Sequence, residues 1–162
     1  MNKSRRQLNF QIATLESSHD KVVGGILRSE PDYFTWEPTI EKYCAEAKLP
    51  GSKTLVARNW TGKELGCIVG RIINENTVEL VVVAVRRESR NIGIGSALIE
   101  AILHWTAAEG RKLVMHRTVG LKGSCPADTM VYEFFKKQGF VALDEYDFLW
   151  ADMSCAVMVQ AV

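Results

Sequence analysis

Apolar and polar positions in the first third of the chain follow the period of a strand and then the period of helices. Alternating apolar residues over Leu8–Leu15 predict a short strand with one buried face. Apolar residues then recur at helical spacing after Ser17 and Ser18, which can cap a helix. Proline is favoured in the first turn of a helix, so a second helix is predicted over Pro38–Lys48. Met1–Gln7 is expected to be a mobile tail.

Three apolar segments separated by short polar turns occupy the middle of the chain. They are Thr54–Asn59, Leu65–Ile73 and Thr77–Val85. Turns this short predict that the three strands form an antiparallel meander. The third segment is apolar at nearly every position, which is typical of a strand covered on both faces.

The last third predicts a helix, a strand, a loop, a second helix and two closing strands. These segments are Ser96–Gly110, Lys112–Met115, Thr118–Pro126, Asp128–Gln138, Phe140–Leu143 and Ser154–Val159. An antiparallel meander followed by a strand–helix–strand crossover indicates an α/β fold of the α+β type.

Composition and charge narrow the class of protein. The chain has 162 residues, of which 47% are hydrophobic and 24% charged, and its net charge is +1. These values are typical of one globular domain, and the small net charge argues against a nucleic-acid partner. No apolar segment reaches the roughly 18 residues of a membrane span, and no secretory signal is visible. We therefore expect a cytoplasmic protein with no membrane partner.

The cysteines indicate neither a disulfide framework nor a metal site. None lies in a Cys-x-x-Cys pair, and none has a histidine at zinc-ligand spacing. We expect reduced thiols and no bound metal. The cysteines are Cys44, Cys67, Cys125 and Cys155.

A glycine-bearing turn, Arg90–Gly95, joins the third apolar strand to the following helix. Glycines there can simply permit positive backbone angles. However, the first turn of a helix presents free N–H groups and a partial positive charge, which suits a phosphate. A P-loop needs a lysine after the last glycine, and a dinucleotide fingerprint needs a small residue where Leu98 stands. The turn therefore predicts a phosphate site of another kind.

The segments around this turn resemble the GNAT superfamily of N-acetyltransferases. Val78–Val85 followed by Arg90–Ile99 resembles the family's Gln/Arg-x-x-Gly-x-Gly/Ala motif after a valine-ended strand, and Tyr132–Phe140 resembles its Tyr-x-x-x-Gly-Phe close. The resemblance covers roughly the whole chain and implies an N-acetyltransferase domain over residues 8–162. It implies a twisted, mixed, mostly antiparallel sheet of about seven strands, splayed at the cofactor, with about four helices on both faces.

The resemblance also implies how acetyl-coenzyme A is held. Backbone groups of Val83, Ala84 and Val85 would pair with the pantetheine arm, where a bulge splays the strand from its neighbour. Amides of the turn and the helix start would bind the pyrophosphate. Those amides belong to Arg90, Asn91, Ile92, Gly93, Ile94, Gly95 and Ser96.

Direct attack of an amine on the acetyl thioester needs a base, because an alkylamine is mostly protonated at neutral pH. Glu79 is the candidate base, since it interrupts an apolar strand and matches a position where relatives carry a catalytic glutamate; a solvent-facing role is the alternative. Tyr132 is the candidate acid, although the family's usual tyrosine position holds Phe135. His116 as base and Cys125 as nucleophile are further alternatives.

The acceptor is expected to be a small cationic amine. The resemblance places acceptor specificity in Tyr33–Glu46 and Asp144–Asp152, which are rich in aromatic and acidic residues that attract cations. A protein or peptide N-acetyltransferase and a non-catalytic coenzyme A-binding module are the alternatives, and the resemblance also allows a homodimer. Four basic residues are candidates for the cofactor's 3′-phosphate or for a solvated surface. They are Arg86, Arg87, Lys136 and Lys137.

Overall fold

The computed structural model describes residues 9–162, so the tail predicted over Met1–Gln7 lies outside the described residues. The strands are β1 (Gln11–Thr14), β2 (Ser52–Arg58), β3 (Glu64–Ile72), β4 (Thr77–Val85), β5 (Leu113–Val119), β6 (Val141–Tyr146) and β7 (Cys155–Ala161). The helices are α1 (His19–Arg28), α2 (Glu37–Glu46), α3 (Ile94–Ala108) and α4 (Pro126–Lys137). The described residues thus contain the seven strands and four helices that the sequence predicted.

The strands form one mixed sheet in the order β1-β2-β3-β4-β5-β7-β6. β2, β3 and β4 pair antiparallel, which confirms the predicted meander. β4 and β5 pair parallel, because α3 carries the chain from the end of one strand back to the start of the other. The remaining pairs are antiparallel.

Each face of the sheet is covered by a pair of helices and has its own hydrophobic core. On one face, α1 and α2 bury residues such as Val23 and Ile40 against Val56. On the other face, α3 and α4 bury residues such as Ile102 and Phe135. The predicted placement of helices on both faces is confirmed.

Two glycines of β3 lie in close contact with their neighbours. A Cβ atom at Gly66 would lie 2.8 Å from the carbonyl oxygen of Ala84 on β4 and 3.3 Å from Cγ2 of Ile94 on α3. Because the first of these atoms is backbone, Gly66 requires glycine while β4 keeps its place. A Cβ atom at Gly70 would lie 2.9 Å from Cδ1 of Ile102, so that side chain would have to move. Glycine at both positions lets α3 approach β3 closely.

A β-bulge at Val81 divides β4 into two halves that face opposite ways. Val69 pairs with Val82 but the next residue, Gly70, pairs with Leu80, so Val81 is the extra residue. Leu80 belongs to the core under α3 and α4, whereas Val82 belongs to the core under α1 and α2. This explains the nearly continuous apolar sequence of β4, because its side chains contact a hydrophobic core on either face of the sheet.

Two strands of the last third, β5 and β6, extend beyond their predicted limits. β5 was expected to end at Met115, with a loop from Thr118, yet it continues to Val119 because all seven of its residues pair with β7. His116 and Arg117, which follow the predicted strand, therefore lie inside it. Likewise, β6 continues through Tyr146, so the loop before β7 is shorter than predicted.

Candidate active site

β4 and β5 separate partway along their length. Their parallel pairing ends at Leu80 and His116, although β4 continues to Val85 and β5 to Val119. The β5-facing edge of β4 from Val81 to Val85 consequently has no strand partner among residues 9–162. The sheet has the splay that the family resemblance implied, with unpaired backbone groups along one wall.

His116 lies where the two strands part. Its Nδ1–H donates to the carbonyl oxygen of Leu80 over 2.8 Å, and its ring centroid lies 4.2 Å from that of Phe135. Burial lowers the pKa of His116 to about 4, although the bond to Leu80 opposes that shift. The imidazole is therefore neutral at pH 7, with its proton on Nδ1 and a lone pair on Nε2.

A turn of positive backbone angles connects β4 to α3. After a short 3₁₀ turn over Arg87–Ser89, Asn91 has φ 62° and Gly93 has φ 94°. None of the six backbone N–H groups from Asn91 to Ser96 donates a hydrogen bond within residues 9–162. These donors lie at the positive end of the α3 dipole, an arrangement that suits a phosphate group.

The two glycines of this turn have different requirements. Gly93 needs its positive φ, and a Cβ atom there would meet nothing within 4 Å. A Cβ atom at Gly95 would lie 3.1 Å from the ring of Phe134. Gly95 therefore lets α4 pack against the first turn of α3, in addition to any close approach by a ligand.

Glu79 is partly buried between two arginines. Its Oε2 accepts a bond from Arg71 over 2.8 Å, its Oε1 accepts one from Arg117, and its side chain is only 13% exposed. Arg71 also lies 3.6 Å from a carboxylate oxygen of Glu46 on α2. The alternative of a merely solvent-facing Glu79 is wrong, because the carboxylate belongs to a chain of four charged groups.

Tyr43 on α2 lies beside this chain of charges. Burial raises the pKa of Tyr43, and the carboxylates of Glu46 and Glu79 raise it further. The ring of Phe34 packs edge-on against Tyr43, with ring centroids 6.3 Å apart. The sequence placed both aromatic residues in the candidate acceptor segment but gave no reason to single out either of them.

Tyr132 and Phe135 are the two buried residues of α4 and face the same side, as predicted. Phe135 is fully buried and contacts His116, Phe134 and Phe140. The hydroxyl of Tyr132 forms no hydrogen bond with any residue from 9 to 162. A phenol with no protein partner at this position is available to a ligand.

Other candidates from the sequence have structural partners. The Sγ of Cys125 lies 3.1 Å from Oδ2 of Asp128 in the cap of α4, and no histidine contacts it. Arg86 donates from Nε to the carbonyl oxygen of Glu64 over 2.8 Å, and Arg87 lies 3.6 Å from Asp32. Lys136 pairs with Glu133, whereas Lys137 has no ion-pair partner in the described part of the chain.

Two acidic residues of the segment before β7 are bonded to other protein groups. Glu145 accepts bonds from the hydroxyl of Ser154 and the backbone N–H of Lys122, and the first of these lowers its pKa most. Asp147 pairs with the ammonium of Lys122 at 3.4 Å. These contacts hold the loop before β7 against the loop after β5, at the end of the sheet where β4 and β5 part.

Residues 9–162 lack two kinds of feature. No helix there is long and apolar enough to cross a membrane. No group of three or more His, Cys, Asp or Glu side chains there is placed to hold a metal ion. All four cysteines are free thiols, as predicted, and Cys125 alone is exposed.

The separation of β4 from β5, the free N–H groups of the turn after β4, and the helix α3 that connects the two strands are features of an acetyltransferase fold. The sequence model of the acetyltransferase (GNAT) family matches residues 17–140, which is most of the chain. The protein belongs to that family. A search among curated proteins found no match.

Solved structures support the same fold at low sequence identity. Ard1 from Thermoplasma volcanium is 20% identical, with a TM-score of 0.73 over 95% of this chain and 98% of that one. The aminoglycoside 6′-N-acetyltransferase from Enterococcus faecium is 16% identical, with a TM-score of 0.72 over 93% and 96%. A GNAT family acetyltransferase from Elizabethkingia anophelis, solved with acetyl-CoA bound, is 16% identical, with a TM-score of 0.70 over 95% and 99%.

Proposed function

We propose that this protein transfers an acetyl group from acetyl-coenzyme A to the amino group of a small cationic molecule. One observation carries the proposal: an unpaired strand edge leads directly into six free N–H groups at the start of a helix. The first feature suits the amide-bearing pantetheine arm and the second suits the pyrophosphate. Together they match the two chemical halves of coenzyme A in order along the chain.

In this proposal, the donor is held mainly by backbone. Val83, Ala84 and Val85 lie on the unpaired edge of β4 and would bind the pantetheine arm. The N–H groups from Asn91 to Ser96 would bind the pyrophosphate. Arg90 contributes less than the resemblance implies, because its N–H already donates to Arg87 and its guanidinium has protein partners. The bound donor supplies an acetyl thioester, which an amine can attack.

Glu79 is the proposed base. Each of its oxygens accepts a bond from one arginine, so lone pairs remain on both for a further donor. It can accept a proton from the ammonium group or from an intervening water. A backbone N–H on the unpaired edge of β4 would then donate to the oxyanion that forms at the carbonyl.

Tyr132 is the proposed acid for the departing thiolate. Phenols and thiols have similar pKa values in solution, about 10 and 8.5. Tyr132→Phe should lower kcat by about 10²-fold, because the variant has no phenolic proton to give to the departing thiolate. The rate of thiol release at saturating donor and amine tests this. Met130→Ala, an exposed change on the same helix, should leave kcat unaltered, and a folded Tyr132→Phe protein with the kcat of wild type would refute the role.

Aromatic surface near Glu79 supports a cationic acceptor. The rings of Tyr43 and Phe34 are partly exposed and pack together beside the chain of charges, and aromatic faces attract ammonium groups. The carboxylates of Glu46 and Glu79 add little net charge, because two arginines pair with them. Two of the solved structures with this fold are, by their names, aminoglycoside 6′-N-acetyltransferases, which agrees with this choice.

Thiol release from acetyl-coenzyme A in the presence of an amine panel tests the proposed function. The panel should contain aminoglycosides, polyamines, neutral amines and amino-terminal peptides. We expect cationic small molecules to give kcat/KM at least about tenfold above neutral amines, corresponding to one favourable charge contact. A preference for peptides would instead favour the protein or peptide class. Coenzyme A binding with no thiol release from any amine would favour a regulatory module. The homodimer and the cytoplasmic location stay predictions.

A further inference from the structure

Glu30 is a buried carboxylate that the proposed chemistry does not use. It lies two residues after the end of α1 and precedes Pro31, and its side chain is only 4% exposed. A buried charge is costly unless it is paired and hydrogen-bonded. Its partners therefore indicate what the burial achieves.

The shortest hydrogen bonds of Glu30 come from Arg87 and Arg90, in the segment that leads into the glycine-bearing turn. Its Oε1 accepts the backbone N–H of Arg87 over 2.8 Å, and its Oε2 accepts a bond from the guanidinium of Arg90. Arg90 in turn donates from Nε to the carbonyl oxygen of Val85 over 3.1 Å. The ring of Tyr33 lies 5.1 Å from the same guanidinium, within the range of a cation–π contact.

These contacts fix both ends of the 3₁₀ turn that precedes the phosphate-binding N–H groups. Arg87 and Arg90 bracket that turn, and the next residue, Asn91, has a left-handed φ of 62°, a conformation that asparagine tolerates. The direction of the chain into α3 therefore depends on how the 3₁₀ turn itself is held. Glu30, which lies 60 residues from Arg90 in sequence, holds it at both ends.

We propose that Glu30 is a positioning residue for the donor site: by holding Arg87 and Arg90, it sets the direction of the N–H groups that bind the pyrophosphate. This inference rests on the proposed function. It makes affinity for coenzyme A depend on a residue at the start of the α1–α2 segment, far from the glycine motif in sequence. In this proposal the Arg90 side chain binds Glu30 and Val85 and does not contact the phosphate.

Binding of coenzyme A and of pantetheine to the full chain tests the proposal. Glu30→Gln keeps the shape of the side chain and an acceptor for Arg87, but places an amide donor against the guanidinium of Arg90. We expect its Kd for coenzyme A to rise about tenfold, the effect of one charge-assisted hydrogen bond. Pantetheine lacks the pyrophosphate, so its Kd, measured by NMR titration, should stay within about twofold of wild type.

Asp32→Asn is the matched control, because Asp32 is an exposed carboxylate of the same segment that lies 3.6 Å from Arg87. It should leave both Kd values within about twofold, as expected of an exposed ion pair. Arg90→Gln tests the contact from the other side, and the double variant should bind coenzyme A no more weakly than the weaker single variant.

Two results would overturn the inference. One is a Glu30→Gln protein that binds coenzyme A as wild type does. The other is an equal loss of coenzyme A and pantetheine binding, which indicates general damage to the fold. A wild-type protein that binds no coenzyme A would overturn the proposed function as well, so the two failures are distinguishable.

Discussion

Glu79→Gln should lower kcat about 10²–10³-fold, with little change in the KM for acetyl-coenzyme A. The amide cannot accept a proton, and general bases contribute rate factors of this size. The donor KM should hold because the donor contacts proposed above are backbone groups of β4 and the turn. Steady-state thiol release at saturating donor and amine measures both constants.

The control for this variant is Glu100→Gln, an exposed change on α3 that should leave kcat within about twofold. Thermal unfolding of Glu79→Gln must also be measured, because the change weakens the contacts with Arg71 and Arg117. A folded Glu79→Gln protein whose kcat is close to that of wild type would show that the base lies elsewhere. His116, whose Nε2 accepts no hydrogen bond from residues 9–162, would then be the group to test.

Acidification from pH 7 to pH 4 should cost about 3 kcal/mol of unfolding free energy through His116 alone. The unfolded chain binds this proton near pH 6.5, whereas burial lowers the pKa in the folded protein to about 4. Between these values the unfolded chain binds more protons than the native one, so stability falls as the pH falls. The contribution is fully present above pH 6.5 and is lost progressively towards pH 4.

Urea unfolding at several pH values between 4 and 7 measures this slope. Wild-type protein should lose about 1.4 kcal/mol per pH unit more than His116→Gln does, because the glutamine does not titrate. His104→Gln, an exposed change on α3, should keep the wild-type slope. Parallel stability curves for wild type and His116→Gln would contradict the buried, neutral state of the imidazole.

The elements predicted best are those whose signal is local. β4 was predicted with its observed limits, since an apolar run lies between a polar turn and an arginine pair. β5 was predicted too short because His116, Arg117 and Thr118 alternate with apolar residues only weakly. Its full length depends on pairing with β7, about forty residues later, and no local pattern records that partner.

The residues of the candidate site also differ in whether a local sequence pattern marks them. The free N–H groups from Asn91 to Ser96 follow from a local motif, so the sequence alone located them. The partners of Glu79 lie 8 and 38 residues away, and those of Glu30 lie 57 and 60 residues away. Glutamate and arginine are common surface residues, so nothing in the sequence marks these pairs as neighbours.

The extra residue at Val81 makes β4 respond to a deletion in a way that depends on its position. Removing Val81 itself would restore regular alternation, because Leu80 and Val82 already pair with adjacent residues of β3 and face opposite cores. Removing Val83 would instead take Ala84 out of the core beneath α1 and α2 and turn Val85 away from α3. Conservative exchanges among valine, isoleucine and alanine keep the arrangement. Natural variation in this strand should therefore consist of substitutions, with the bulge as the one internal position where a single-codon deletion preserves both cores.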